Sequence, residues 1–166
     1  MTKDMPWLER NLRLLRTWGA QIGRVRPEVH NTFGPWTCLK LIALKFHSDL
    51  YTTIMNQHLA RLGFDSIVYV DVLAGSGLNL IRDTRSSIAG SSIVASLAPI
   101  HRKYDFILAI ENDPNHATAL SKRLGTIRDE GTYDVVPYDA SMHIDTIEKL
   151  LQEKTRTTLL SSITRG

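Results

Sequence analysis

The chain of 166 residues reads as an α/β protein with a doubly wound parallel sheet, and three observations predict that class. From Ser66 onward, short β-branched runs alternate with helical stretches, the pattern of a parallel sheet covered on both faces. The first of those runs breaks into a glycine turn, "YVDVLAGSG" at 69–77. Acidic residues, Asp71, Glu111 and Asp139, end three successive runs, and the carboxyl ends of strands are where such sheets bind ligands.

The elements follow in order. Trp7, Leu8, Leu12, Leu14, Leu15 and Trp18 lie among Arg and Glu at helical spacing, which predicts an amphipathic helix over 5–18 ended by Gly19 and Gly23. The charged stretch "GRVRPEVHNTFGP" reads as a connector. From Trp36 to Leu62 there is no Gly or Pro, and apolar residues cover a broad face. This predicts one long, well-buried helix, with Thr37 as N-cap and Gly63 as its C-terminal stop.

Beyond Ser66, "SIVYVDVLA", "YDFILAIE" and "YDVVPYDA" read as strands. "SSIVASLAPIHR" reads as a helix, and so does "DPNHATALSKRLGTI", where Pro114 suits the first helical position. "HIDTIEKLLQEK" is expected to be a further helix and "RTTLLSSIT" the start of a fourth strand. The expected division is a helix and connector over 1–35, then an α/β domain over 36–166. A doubly wound sheet usually has more strands than these, so the expectation is the N-terminal part of a larger domain, incomplete at its C-terminus.

Composition limits the function classes. Hydrophobic residues make up 43% and charged residues 22%, ordinary globular values, and the net charge of +3 is too small to argue for nucleic acid by itself. A single cysteine, Cys38, leaves no disulfide framework and no cysteine-based zinc cluster. The histidines form no H-x-x-x-H or H-E-x-x-H pair, so no metal site is expected. With no secretory signal in the first residues and no run near the roughly 18 apolar residues of a membrane span, a soluble, cytoplasmic protein is expected.

The glycine turn is open to two readings: a cofactor turn, or a bend that lets the chain change direction. The carboxylates are open to two as well, since an acidic residue after a strand also serves to cap the next helix. As ligand groups, Glu111 would accept hydrogen bonds from ribose hydroxyls, and Asp139, beside Ala140, would read an adenine amino group. A nicotinamide fingerprint is incomplete, because Leu80 stands at the third glycine position and Glu111 lies beyond the usual offset of about 20 residues. The spacing Asp-x-x-x-Gly-x-Gly fits an S-adenosylmethionine turn better. There the set would be Asp71, Leu73, Ala74, Gly75 and Gly77, with Leu73 at the position of a first glycine. Lys40 is read either as a partner for a phosphate or cofactor carboxylate, or as a solvated helix lysine. The basic residues Arg82, Arg85, Arg102 and Lys103 are read either as a nucleic-acid path or as solvated surface.

Three segments together resemble the three-Cys-motif partner family. They are Trp36-Thr37 with Lys40 opening the long helix, "DVLAGSG" with Leu73 in place of the family's Phe, and Gly90-Ser91 with Ala95. The likeness spans roughly residues 33–140. It implies a Rossmann-like methyltransferase fold and a partner protein carrying a three-cysteine motif, and with the turn it makes S-adenosylmethionine the expected cofactor. The form "DVLAGSG" also resembles the turn of several nucleic-acid methyltransferases, which makes nucleic acid the expected acceptor. The D-P-x-G-like segment expected after the fourth strand is absent. Cys38 lies upstream of the turn and does not match a cytosine-methyltransferase nucleophile, so no catalytic residue is assigned. The reading from another class is a non-catalytic interaction module that binds such a partner or a nucleic acid.

Overall fold

A computed structural model of the chain describes residues 5–64 and 66–139, together with positions 145, 148, 149 and 152. The elements are α1 (Met5–Ile22), β1 (Asn31–Phe33), α2 (Trp36–Leu62), β2 (Val68–Asp71), β3 (Leu78–Ile81), β4 (Ser87–Ala89), α3 (Ser91–Leu97), β5 (Phe106–Ile110), α4 (Pro114–Leu124) and β6 (Tyr133–Val136). They form a mixed α/β structure with two three-stranded sheets. Of the helix expected over 143–154, only positions 145, 148, 149 and 152 are described, all helical and exposed. The strand expected over 156–164 lies outside the described residues.

One sheet has the order β2-β5-β6 and is parallel throughout. Its middle strand, β5, is buried along its whole length. Ile107 and Ala109 pack with the helices on one face, while Phe106, Leu108 and Ile110 form a cluster with Val68, Val70 and Val136 on the other. This is why "FILAI" is apolar at every position rather than alternating. All three strands run the same way in register, with Asp71 beside Ala109 and Ile110 beside Val136. Their carboxyl ends therefore lie at one edge of the sheet.

The second sheet was not expected. The stretch "LNLIRDTRSSIAG" folds back as the β3–β4 antiparallel hairpin, and the connector supplies β1, parallel to β3. The sequence hid β1 because three residues carry too little periodicity to show a strand.

Helix α1 also corrects the expectation at Gly19, which lies inside the helix and does not end it. A Cβ there would sit 2.6 Å from the backbone of Ile88, so the glycine allows α1 to lie directly on β4. Leu15 and Ile22 join Ile88 in the main core with Leu41, Ile42, Ile93 and Leu120.

Helix α2 has the predicted bounds, though it begins at Trp36 and so places Thr37 inside its first turn. It is less buried than expected. Leu41, Ile42, Ser48, Thr52 and Leu59 face the interior, whereas Leu39, Phe46, Leu50 and Ile54 are exposed. Helix α4 starts as predicted: Pro114 occupies the first position, and the Asp113 carboxylate accepts from the backbone N–H groups of Asn115 and His116. Among the described residues, no helix is long and apolar enough to cross a membrane.

Candidate functional site

The turn after β2 is where the sequence-predicted groups meet. Gly75 and Gly77 adopt φ values of +62° and +78°, which only glycine takes without strain. Both are also closely packed. A Cβ on Gly75 would meet the Asn31 side chain at 2.7 Å, and one on Gly77 would meet Leu120 at 2.7 Å. Gly90 lies against the backbone of Gly77, and its N–H donates to the Gly77 carbonyl at 2.7 Å. The turn is thus seated between β1, α3 and α4.

Hydrogen bonds around the turn run inward. The amides of Ala74, Gly75 and Ser76 donate in succession to the Ile110 carbonyl (3.1 Å), Glu111 Oε2 (2.8 Å) and Asn31 Oδ1 (2.8 Å). The other Glu111 oxygen, Oε1, accepts from the Asp113 N–H at 3.0 Å. Asp71 Oδ2 accepts from the hydroxyls of Ser91 and Ser92 at the start of α3. The Asp71 strand end, the glycine turn, the Gly90–Ser92 stretch and Glu111 therefore form one connected network.

The chemical consequence is specific. A phosphate-cradling turn presents free backbone N–H groups to an anion, but here the amides of residues 74–76 are all engaged within the protein. What the site adds is negative charge, from Asp71, Glu111 and Asp113. Asp113 is held below the ordinary aspartate range, first by the His116 amide and then by the Asn115 amide. Such a rim attracts a cation or a hydroxyl donor and repels a pyrophosphate.

The remaining predicted residues are placed differently. Asp139 lies three residues beyond the end of β6 and is exposed, so it does not itself end the strand. Leu73 projects into solvent, 84% exposed, while its neighbour Ala74 is buried. Lys40 is exposed on α2 and forms no ion pair among the described residues. Arg102 forms an ion pair with Asp105. Among the described residues, no three or more His, Cys, Asp or Glu side chains are grouped to hold a metal ion.

Sequence reasoning missed two residues that hold the turn in place. Asn31, in the stretch read as a connector, accepts from Ser76 N–H, and its amide group lies 3.5 Å from His116 Nδ1. Arg123, on α4, is fully buried. Its guanidinium donates to the carbonyls of Val25 (3.1 Å), Ser76 (2.6 Å), Arg26 (2.8 Å) and Val29 (2.7 Å). Burial without a bonded carboxylate lowers its pKa to about 10. Arg123 thus ties the stretch before β1 to the glycine turn. An arginine in the last turn of a helix looks like ordinary favourable charge at a C-terminus, so the sequence carries no signal for this role.

A separate cavity of about 370 Å³ lies between α1, the start of α2 and the β3–β4 hairpin. Its lining is mostly apolar, including Leu12, Trp36, Leu39 and Ile88, with Arg16 as its one charged residue. Burial raises the pKa of the Cys38 thiol, which also lines it. No family model, no curated protein and no solved structure matches the chain.

Proposed function

We propose that the chain is a Rossmann-like, S-adenosylmethionine-binding domain of the type found in the three-Cys-motif partner proteins. One observation carries the reading: carboxylates stand at the ends of parallel strands around a glycine turn whose Ala74, Gly75 and Ser76 amides are already bonded within the protein. That arrangement suits a ligand bearing a sulfonium, an amine and ribose hydroxyls better than one bearing a pyrophosphate. Asp71 and the 73–77 turn would face the methionine end, with Lys40 available to its carboxylate. Glu111 keeps unshared lone pairs on both oxygens for the ribose hydroxyls, and Asp139 would face the adenine.

When bound, S-adenosylmethionine would supply an electrophilic methyl group, for which a nucleic acid would be the acceptor. The protein's contribution would be alignment of donor and acceptor. Titration calorimetry tests the reading. Micromolar binding of S-adenosylmethionine, weakened at least tenfold in Glu111→Gln while circular dichroism shows that variant still folded, is the expected result. Absence of heat at cofactor concentrations near 1 mM, or tighter binding of NAD, would overturn it.

A second reading is a non-catalytic interaction module that binds a three-Cys-motif protein or a nucleic acid. The outward apolar face of α2 favours it.

A further inference from the structure

Helix α2 is apolar on two opposite faces. Trp36, Leu39, Ala43, Phe46, Leu50 and Ile54 are all exposed and follow one another at intervals of three or four residues. On a helix this spacing gives a single straight stripe, about 27 Å long, directly opposite the side that carries Leu41, Ser48, Thr52 and Leu59. Trp36 is 74% exposed, Phe46 59% and Leu50 47%. Single exposed apolar residues are ordinary, but a continuous stripe of them marks a surface meant to be covered.

From Trp36 to Leu50 the spacing alternates three and four, the seam of one helix laid against another. In that register Lys40, His47, Ile54 and Arg61 fall in one row that flanks the seam, and all four are exposed. Neither Lys40 nor Arg61 forms an ion pair among the described residues. The helix has a single acidic residue, Asp49, and its carboxylate accepts from the Ile100 amide. At its N-terminal end the stripe opens into the apolar cavity, through Trp36 and Leu39, with Arg16 alongside.

We infer that this face of α2 docks an acidic amphipathic helix of a partner protein, with one large apolar side chain of that helix seated in the cavity. The stripe supplies the apolar seam, the cavity an anchoring pocket, and the basic flank the charge preference. A second copy of the chain fits less well. Antiparallel two-fold pairing sets each basic flank against its own counterpart, and parallel pairing offers only Asp49, which is already bonded. The inference deepens the interaction-module reading and is independent of cofactor binding.

The experiment uses the full chain and a fluorescein-labelled 21-residue synthetic peptide, helical, with Leu along its seam and Glu on its flanks. Fluorescence anisotropy is expected to give micromolar binding that weakens at least tenfold in Phe46→Glu and several-fold in Lys40→Glu. The same peptide with Lys in place of Glu should bind Lys40→Glu better than it binds the wild type. Circular dichroism confirms that each variant folds. Equal binding of the Glu and Lys peptides, or no loss in Phe46→Glu, overturns the inference. So does a dimer in sedimentation that Phe46→Glu dissociates, since the occupant is then a second copy. Leu50→Cys in a Cys38→Ser background separates this failure from failure of the underlying reading. Rapid maleimide labelling shows a face open to a partner, whereas protection in the isolated chain shows that the chain itself covers it, and both proposals fall.

Discussion

The glycine turn after β2 and the outward face of α2 are opposites in how their groups are satisfied. At the turn, consecutive amides, two carboxylates and two serine hydroxyls are bonded to one another, and the glycines touch backbone or side chains on several sides. On α2, large apolar side chains stand in solvent and the neighbouring Lys40 has no ion pair among the described residues. The difference teaches where each kind of function belongs. A site that must hold a small ligand in fixed geometry needs its scaffold bonded beforehand. A surface that meets another protein keeps its apolar area uncovered until the partner arrives.

The contrast makes the two regions respond differently to substitution. The largest effect is expected from Arg123→Met, which leaves the four carbonyls held by the guanidinium without their donor. A loss of about 3 kcal/mol or more is expected in urea denaturation. Arg123→Lys should recover only part of it, because an ammonium has three donors and no planar fork. Recovery to the wild-type midpoint would show that charge, not the fork, holds the turn.

Next come the glycines. Gly90→Ala places a Cβ 2.9 Å from the Gly77 backbone, and Gly77→Ala adds a positive φ to a 2.7 Å approach to Leu120. Each should cost about 1–3 kcal/mol in the same assay. Gly77→Ala is the worse of the two if the backbone conformation matters beyond the space.

A smaller effect is expected at Asp113. Its folded-state pKa is depressed by bonds from the His116 and Asn115 amides, so its contribution is present above the unfolded value of about 3.8 and is lost as pH falls through the lower, folded one. Asp113→Asn should flatten the acid limb of the stability profile below about pH 4. A profile unchanged from wild type would remove the cap from the account.

The smallest effect is expected on α2. Phe46→Glu should shift stability by about 0.5 kcal/mol or less, since a surface position has no packing to lose. A loss as large as that at the glycines would show that the stripe is covered within the chain, and the contrast between the regions would fail.

Local signals made most of the elements legible. The uninterrupted run from Trp36 to Leu62 matches α2 at both ends, and Asp113-Pro114 marks the start of α4 by a cap and a fixed φ. The β-branched runs mark β2, β5 and β6, and Asp71 and Glu111 fall at the carboxyl ends of β2 and β5. These features depend on a few neighbouring residues, so the sequence by itself determined them.

Tertiary structure decided what distant residues do to one another. Gly19 reads as a helix stop until β4 is laid against it, and "LNLIRDTRSSIAG" reads as an insertion until its hairpin pairs with a strand from the connector. Glu111 carries the same carboxylate whether or not Gly75 reaches it, and Arg123 looks like a helix-end charge until four carbonyls surround it. The exposed side of α2 is likewise invisible in a helix whose apolar residues cover so broad a face. Periodicity reports that a face is apolar, but only packing against the rest of the chain decides which apolar face is buried.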